Sequence, residues 1–167
     1  KLFDGFKLNQ LHLHNNVLSQ LHAETFHGLT FADKGILDMS KNQLQDLPPK
    51  LFDGLKLNQL SLQNNVLSRL HAETFQGLTF GENGILNISH NQLQELHSEA
   101  FHGLTFGHYG ILDLSQNKLH TLHADIFQGL AFAYNGILDM SQNTLQVLHA
   151  ETFQNLTFGE KGILDMS

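Results

Sequence analysis

One short pattern recurs along almost the whole chain, and that repetition constrains the fold more than any other feature. It is clearest in Leu57-Asn58-Gln59-Leu60-Ser61-Leu62-Gln63-Asn64-Asn65-Val66-Leu67, which reads LxxLxLxxNxL. Leu70, Phe75 and Leu78 then follow as LxxxxFxxL. The Asn of the pattern returns at Asn16, Asn42, Asn65, Asn91, Asn117 and Asn143, in steps of 26, 23, 26, 26 and 26 residues. A Phe returns at Phe3, Phe26, Phe52, Phe75, Phe101, Phe127 and Phe153. A unit this short cannot bury its apolar side chains alone. Stacking it on copies of itself buries them in one continuous core, so the period predicts a solenoid.

Each part of the unit has a physical reading. LxLxx alternates apolar and polar residues with the period of a half-buried strand. Stacked coils then give a parallel sheet with strands about 4.8 Å apart. The recurrent Asn falls where the chain leaves the strand. Its amide both donates and accepts, so it can satisfy the backbone of the turn. The six Asn therefore read as a structural ladder and not as a catalytic set.

All 13 Phe fit the repeat. Seven form the column above. Phe31, Phe80, Phe106, Phe132 and Phe158 lie two residues past the last Leu of the motif, and Phe6 takes the place that Leu55 holds in the next block. Stacked rings predict a dry spine through the coils. The 26-residue steps carry an insertion before Gly-Ile-Leu, with Gly at Gly35, Gly84, Gly110, Gly136 and Gly162. Asn83-Gly84 and Asn135-Gly136 are turn dipeptides. Each insertion is expected to form a tight turn leading into a strand, along one edge of the solenoid.

The motif and its coverage resemble the leucine-rich-repeat family, in its typical, mostly extracellular class, to which Toll-like receptor, Slit and chaoptin-like ectodomains belong. The resemblance implies a curved horseshoe with short parallel strands on the concave face and irregular or 3-10 segments on the convex face. It implies one domain over residues 1–167, with about six coils and partial coils at both ends. Two departures stand out. Family repeats run at about 24 residues, against 26 and 23 here. The family's Cys-rich caps are missing, since the chain has no Cys. The expectation is a piece of something longer, or a unit whose ends neighbouring repeats or subunits cover.

Composition narrows the function. A formal charge of -7 with only 9 Lys+Arg argues against nucleic acid and anionic membranes, which call for a basic face. No stretch approaches the roughly 20 apolar residues of a membrane span. Ser, His and Asp are plentiful but stand in repeating columns, and catalysis needs one converging constellation. No nucleophile elbow, Walker loop, dinucleotide glycine fingerprint or His-Glu-x-x-His is present. The chain reads as a non-enzyme without a cofactor.

A solenoid binds with its stacked strands and their flanking loops. Three outward columns are expected on the sheet. They are Gln10, Ile36, Gln59, Ile85, Ile111, Ile137 and Ile163; then His12, Asp38, Ser61, Asn87, Asp113, Asp139 and Asp165; then His14, Ser40, Gln63, Ser89, Ser115, Ser141 and Ser167. An Ile row beside an acidic row, including Asp113 and Asp139, suits a basic or mixed partner. It equally suits a sheet kept soluble by its polar residues. The insertion tips vary more, and both Tyr of the chain lie in them. His108, Tyr109, Tyr134 and Asn135 form a candidate contact patch, because Tyr gives large rigid contacts. The plainer reading is a set of exposed turns without a role.

His71, His97, His123 and His149 make a further column, joined by His22 and followed two residues on by Glu or Asp. Three readings stay open: a metal ladder, a pH-sensitive stack, or a solvated row paired locally with carboxylates. Asn87-Ile88-Ser89 and Asn155-Leu156-Thr157 are glycosylation sequons. With the resemblance they favour an extracellular or cell-surface location. Asn155 stands where Gly28, Gly77, Gly103 and Gly129 stand in other coils, and Asn tolerates a left-handed backbone. The function expected is recognition of a protein, glycan or microbial ligand by part of a receptor or adhesion ectodomain. The alternative is a structural or self-assembling component, natural or engineered, that associates through uncapped ends.

Overall fold

The computed structural model describes residues 2–167. Its strands are β1 (Lys7–His12), β2 (Thr30–Asp38), β3 (Lys56–Ser61), β4 (Arg69–Leu70), β5 (Thr79–Asn87), β6 (Glu95–Leu96), β7 (Thr105–Phe106), β8 (Ile111–Asp113), β9 (Thr121–Leu122), β10 (Ala131–Phe132), β11 (Ile137–Asp139), β12 (Val147–Leu148), β13 (Thr157–Phe158) and β14 (Ile163–Asp165). Seven of them form one parallel sheet in the order β1-β2-β3-β5-β8-β11-β14. Three small parallel sheets lie elsewhere on the coils: β13-β10-β7, β12-β9 and β4-β6. The architecture is a β-solenoid, and no helix occurs among the described residues. Turns and two-residue strands, rather than 3-10 helix, complete each coil.

The register of the main sheet follows the motif. Gln10, Ile36, Gln59, Ile85, Ile111, Ile137 and Ile163 are successive partners, as are His12, Asp38, Ser61, Asn87, Asp113, Asp139 and Asp165. The Leu between them points inward: Leu37, Leu60, Leu86, Leu112 and Leu138 are fully buried. A one-residue slip would turn that row out to solvent, so burial itself fixes the register.

The two repeat lengths have one cause. Leu8 pairs with Phe31 and Gln10 with Ile36, so Asn9 faces the four residues Ala32–Gly35. The same happens where Leu57 pairs with Phe80 and Gln59 with Ile85. A 26-residue coil is thus a 23-residue coil with a three-residue bulge before the strand. In β2 and β5 the strand runs on through the bulge; in the last three coils a turn splits it, giving β7/β8, β10/β11 and β13/β14. The left-handed residue of each turn is the one before the Gly: Lys34, Asn83, Tyr109, Asn135 and Lys161 have φ of 61°, 56°, 59°, 57° and 58°. The Gly is needed for a different reason. A Cβ on Gly110 would lie 2.4 Å from the Cβ of Phe106, and one on Gly136 2.3 Å from that of Phe132. The turn folds back onto the Phe four residues earlier, and only a residue without a Cβ fits.

Two Phe spines run through the core. Phe3, Phe26, Phe52, Phe75, Phe101, Phe127 and Phe153 stack with centroids 5.8–6.2 Å apart. Phe80, Phe106, Phe132 and Phe158 stack at 4.9–5.0 Å. Phe31 is cut off from the second spine because the short coil between carries Leu57. Each such contact contributes about 0.5–1.5 kcal/mol beyond burial. Phe6 packs edge-on against Phe3 and is 54% exposed.

The Asn column stitches neighbouring coils. Asn91 Nδ2 donates to Leu62 O of the preceding coil at 3.1 Å and to Ile88 O of its own at 3.0 Å. Its Oδ1 accepts from Leu67 N–H at 3.1 Å. Asn42, Asn65, Asn117 and Asn143 repeat the arrangement, and Asn16 donates to Leu13 O and His14 O.

Candidate functional site

The outward face of the sheet is narrower than three columns. Ser40, Ser89, Ser115 and Ser141, expected to face solvent, are only 5%, 4%, 8% and 9% exposed. The cause is the residue two places earlier. Asp38 Oδ1 accepts from Ser40 N–H at 3.0 Å and from its Oγ–H at 2.7 Å. Asp113 does the same for Ser115, and Asp139 accepts from Ser141 N–H at 2.8 Å. The carboxylate caps the strand end and draws the Ser inward as the chain turns toward the Asn ladder. Ser61 is buried as well, its Oγ accepting from Gln59 Nε2. Asp113 and Asp139 thus spend one carboxylate oxygen on their own backbone and offer the other to the face.

Asp165 sits in the same arrangement. The Ser167 backbone N–H and then its side chain bond to the Asp165 carboxylate and hold its pKa below the ordinary 3.8, against a smaller opposing effect of burial. Asn87 plays the same part as these Asp, its Oδ1 accepting from Ser89 N–H and Oγ–H. The sequon Asn87-Ile88-Ser89 coincides with this capping pair. The second sequon differs: Asn155 is exposed in a turn with φ 66°, beside the 74–78° of Gly28, Gly77, Gly103 and Gly129.

The insertion turns form a ladder of their own. Asn83 N–H donates to His108 O, Tyr109 N–H to Tyr134 O and Asn135 N–H to Glu160 O, at 2.8–2.9 Å. The tips are therefore pinned to one another. Tyr109 meets Tyr134 edge to face at 5.9 Å, and His108 lies 6.2 Å from Tyr134. Lys161 Nζ stands 5.4 Å above the Tyr134 ring, a cation–π contact. The four residues His108, Tyr109, Tyr134 and Asn135 adjoin, but they divide. Tyr109 and Asn135 line a groove over the sheet together with Asn83 and the Ile row from Ile85 to Ile163. Tyr134 supports Tyr109 from beside that lining, and Asp113 and Asp139 lie at the far ends of their strands. The groove holds about 420 Å³. Where β3 lacks a bulge, the row of turns is interrupted, leaving a wider recess of about 930 Å³ bordered by Asp33, Lys34, Lys56, Asn58 and Glu82.

The His column is less regular in space than in sequence. His71 Nε2 bonds to the carboxylate of Asp46 in the preceding coil, at 2.9 Å, and not to the Glu two residues on. His123 and His149 stack at 5.5 Å. His97 Nδ1 accepts from Glu99 N–H. Among the described residues, the one group of three His or carboxylate side chains whose donor atoms converge is His12, His14 and Asp38. The cluster belongs to no repeating column of like residues. A His-x-His pair on one strand, with Asp in the facing register position of the next, was the signal available.

A leucine-rich-repeat family model matches residues 35–79 and 85–131, more than half of the chain. The chain belongs to the leucine-rich-repeat family. A search of curated proteins finds no significant match. Repeats of this family make protein-binding modules and are typically not enzymes, and this leucine-rich-repeat solenoid offers two features such a module uses, a stacked sheet face and a rigid row of turns. No helix among its described residues is long and apolar enough to cross a membrane.

Proposed function

We propose that the chain is a protein-recognition module that grips its partner in the groove between the Ile row and the Tyr109 turn, as part of an extracellular receptor or adhesion protein. The observation that carries the reading is the groove itself. Ile85, Ile111 and Ile137 are half-buried, and with Tyr109, Asn83 and Asn135 they offer an apolar floor under polar rims. That is the anatomy of an interface core with its rim. A partner that seats an apolar side chain there meets the free carboxylate oxygens of Asp113 and Asp139 two residues along each strand, which favours a basic flank on the partner.

Tyr109 adds independent support. It takes the left-handed position filled elsewhere by Lys34, Asn83, Asn135 and Lys161, at φ 59°. A bulky residue there is an outlier. The turn imposes this backbone at every equivalent position, and Tyr109 keeps a bulky side chain there where Asn serves in neighbouring coils. The ring is 51% exposed and braced by Tyr134, so it is held ready for contact at little further entropic cost. The extracellular setting rests on the family's typical class and on the sequons. Of the two, Asn155 is the site proposed to carry a glycan, because its side chain is exposed in a turn.

A photo-crosslinking residue placed at Asn83, on the groove rim, and at Gln128, outside it, tests the reading. A defined protein adduct is expected from position 83 alone. Equal capture from both positions, or capture from 128 alone, would count against it.

A further inference from the structure

The first coil breaks the ladder at a place of chemical interest. The second and third outward columns carry Ser61 and Gln63, Asn87 and Ser89, or Asp and Ser in other coils; here they carry His12 and His14. The neighbouring strand places Asp38 opposite His12 in register. We propose that His12, His14 and Asp38 bind a borderline divalent cation of the Zn²⁺ class between β1 and β2.

The geometry is close to what such an ion needs. His12 Nδ1 and His14 Nδ1 lie 3.9 Å and 3.3 Å from Asp38 Oδ2, and one ligand atom from each of the three residues lies within 4.8 Å of the others. Ligands at 2.0–2.2 Å around a tetrahedral ion stand about 3.4 Å apart. His14 and Asp38 already have that separation, and His12 has to close by about half an ångström. Two exposed side chains can do so by small rotations: His12 is 45% and His14 41% exposed, Asp38 21%.

Outer partners orient two of the three ligands, His12 and Asp38. His12 Nε2 bonds to Gln10 Oε1 at 2.9 Å. With Nε2–H donating to that amide oxygen, Nδ1 is the ring nitrogen available to a metal beside Asp38. Asp38 Oδ1 is committed to Ser40, which fixes the carboxylate and turns Oδ2 toward the two imidazoles. Metal sites are built with such outer contacts. Two imidazoles and one carboxylate suit Zn²⁺ and its neighbours, whereas Ca²⁺ and Mg²⁺ ask for more oxygen ligands. The fourth position opens to solvent, where water or a partner's side chain completes the shell.

The test uses the full chain without an affinity tag, titrated with Zn²⁺ by calorimetry and with Co²⁺ by visible absorption. The expected result is one equivalent of metal, a Co²⁺ spectrum of nitrogen–oxygen ligation, and a rise in melting temperature with Zn²⁺. His12→Ser with His14→Gln gives the first coil the residues of Ser61 and Gln63. Asp38→Asn reproduces the Asn87–Ser89 cap. Both keep the fold and are expected to weaken Zn²⁺ by more than tenfold, while Gln10→Ala weakens it by about tenfold. His123→Gln with His149→Gln should leave the affinity unchanged. The proposal is overturned if the native chain takes up no stoichiometric metal, if the His12/His14 variant binds as tightly, or if the His123/His149 variant loses the site.

Discussion

Replacing Asn91 by Ala removes one rung of the ladder, and the cost can be worked out from its bonds. Asn91 is 7% exposed. Its Oδ1 is the acceptor for Leu67 N–H. An orphaned buried donor costs about 1–3 kcal/mol. The three acceptors of its Nδ2 suffer less, because Leu62 O still receives Asn65, Ile88 O still receives Asn117 and Ser89 O still receives Asn64 N–H; losing those bonds adds about 1 kcal/mol. The sum is about 3 kcal/mol. For a domain of this size that lowers the melting temperature by about 6–12 °C. Asn16→Ala is the internal control. Asn16 is exposed, and Leu13 O also receives Asn42, so its loss should cost less than about 1 kcal/mol. Urea unfolding followed by far-ultraviolet circular dichroism measures both, and an unchanged slope shows that the same structure is lost. If Asn91→Ala costs less than about 1 kcal/mol, or no more than Asn16→Ala, the ladder does not hold the coils together as described.

Three further outcomes follow from single residues. Gly136→Ala puts a Cβ 2.3 Å from that of Phe132, so a thermal melt should show a loss of about 1–3 kcal/mol from overpacking; an unchanged melt would contradict the fold-back of the turn. Tyr109→Asn copies Asn83 and Asn135 at the same left-handed position; relief of backbone strain offsets loss of the Tyr134 contact, so stability should stay within about 1 kcal/mol of native while partner binding weakens roughly 30-fold, the worth of a 2 kcal/mol hot spot. The Asp165 carboxylate, favoured in its charged form by Ser167, should titrate by carbon NMR below 3.8. Because its pKa is lowered on folding, its stabilising bonds are fully present above that value and are lost as pH falls through the lower, folded one. Ser167→Ala should move the midpoint part of the way back, and a native midpoint at or above 3.8 would refute the cap.

The fold was legible because burial acts on every coil alike. Leu37, Leu60 and Leu86 must all face inward, so period and register came from the sequence pattern together. What eluded the pattern were contacts between residues close in sequence or unique to one coil. Ser40 and its equivalents read as outward by alternation, but a side-chain cap two residues away outweighs alternation once the strand has ended. The Gly before Ile reads as a turn former, yet the preceding residue takes the left-handed backbone and the Gly makes room for a Phe. His71 pairs across coils with Asp46, a partner that no column contains. His12, His14 and Asp38 are hidden from the pattern for the converse reason: columns emphasise what repeats, and this cluster occurs once among the described residues. The Tyr patch was legible as a variable spot, but only the fold shows that Tyr109 lines the groove while Tyr134 braces it.

If the sheet-side groove binds a protein, the affinity of the captured partner for three chains depends on the groove and not on the turns outside it. The chains are the native protein, an Ile111→Glu/Ile137→Glu variant that charges the groove floor, and a His102→Ala/Gln128→Ala variant altered on exposed turns outside it. With melting curves confirming that all three are folded, a loss of roughly 100-fold or more is expected for the groove variant, as for removal of an interface core, and native affinity for the turn variant. Native affinity in the groove variant, or a comparable loss in the turn variant, would contradict it.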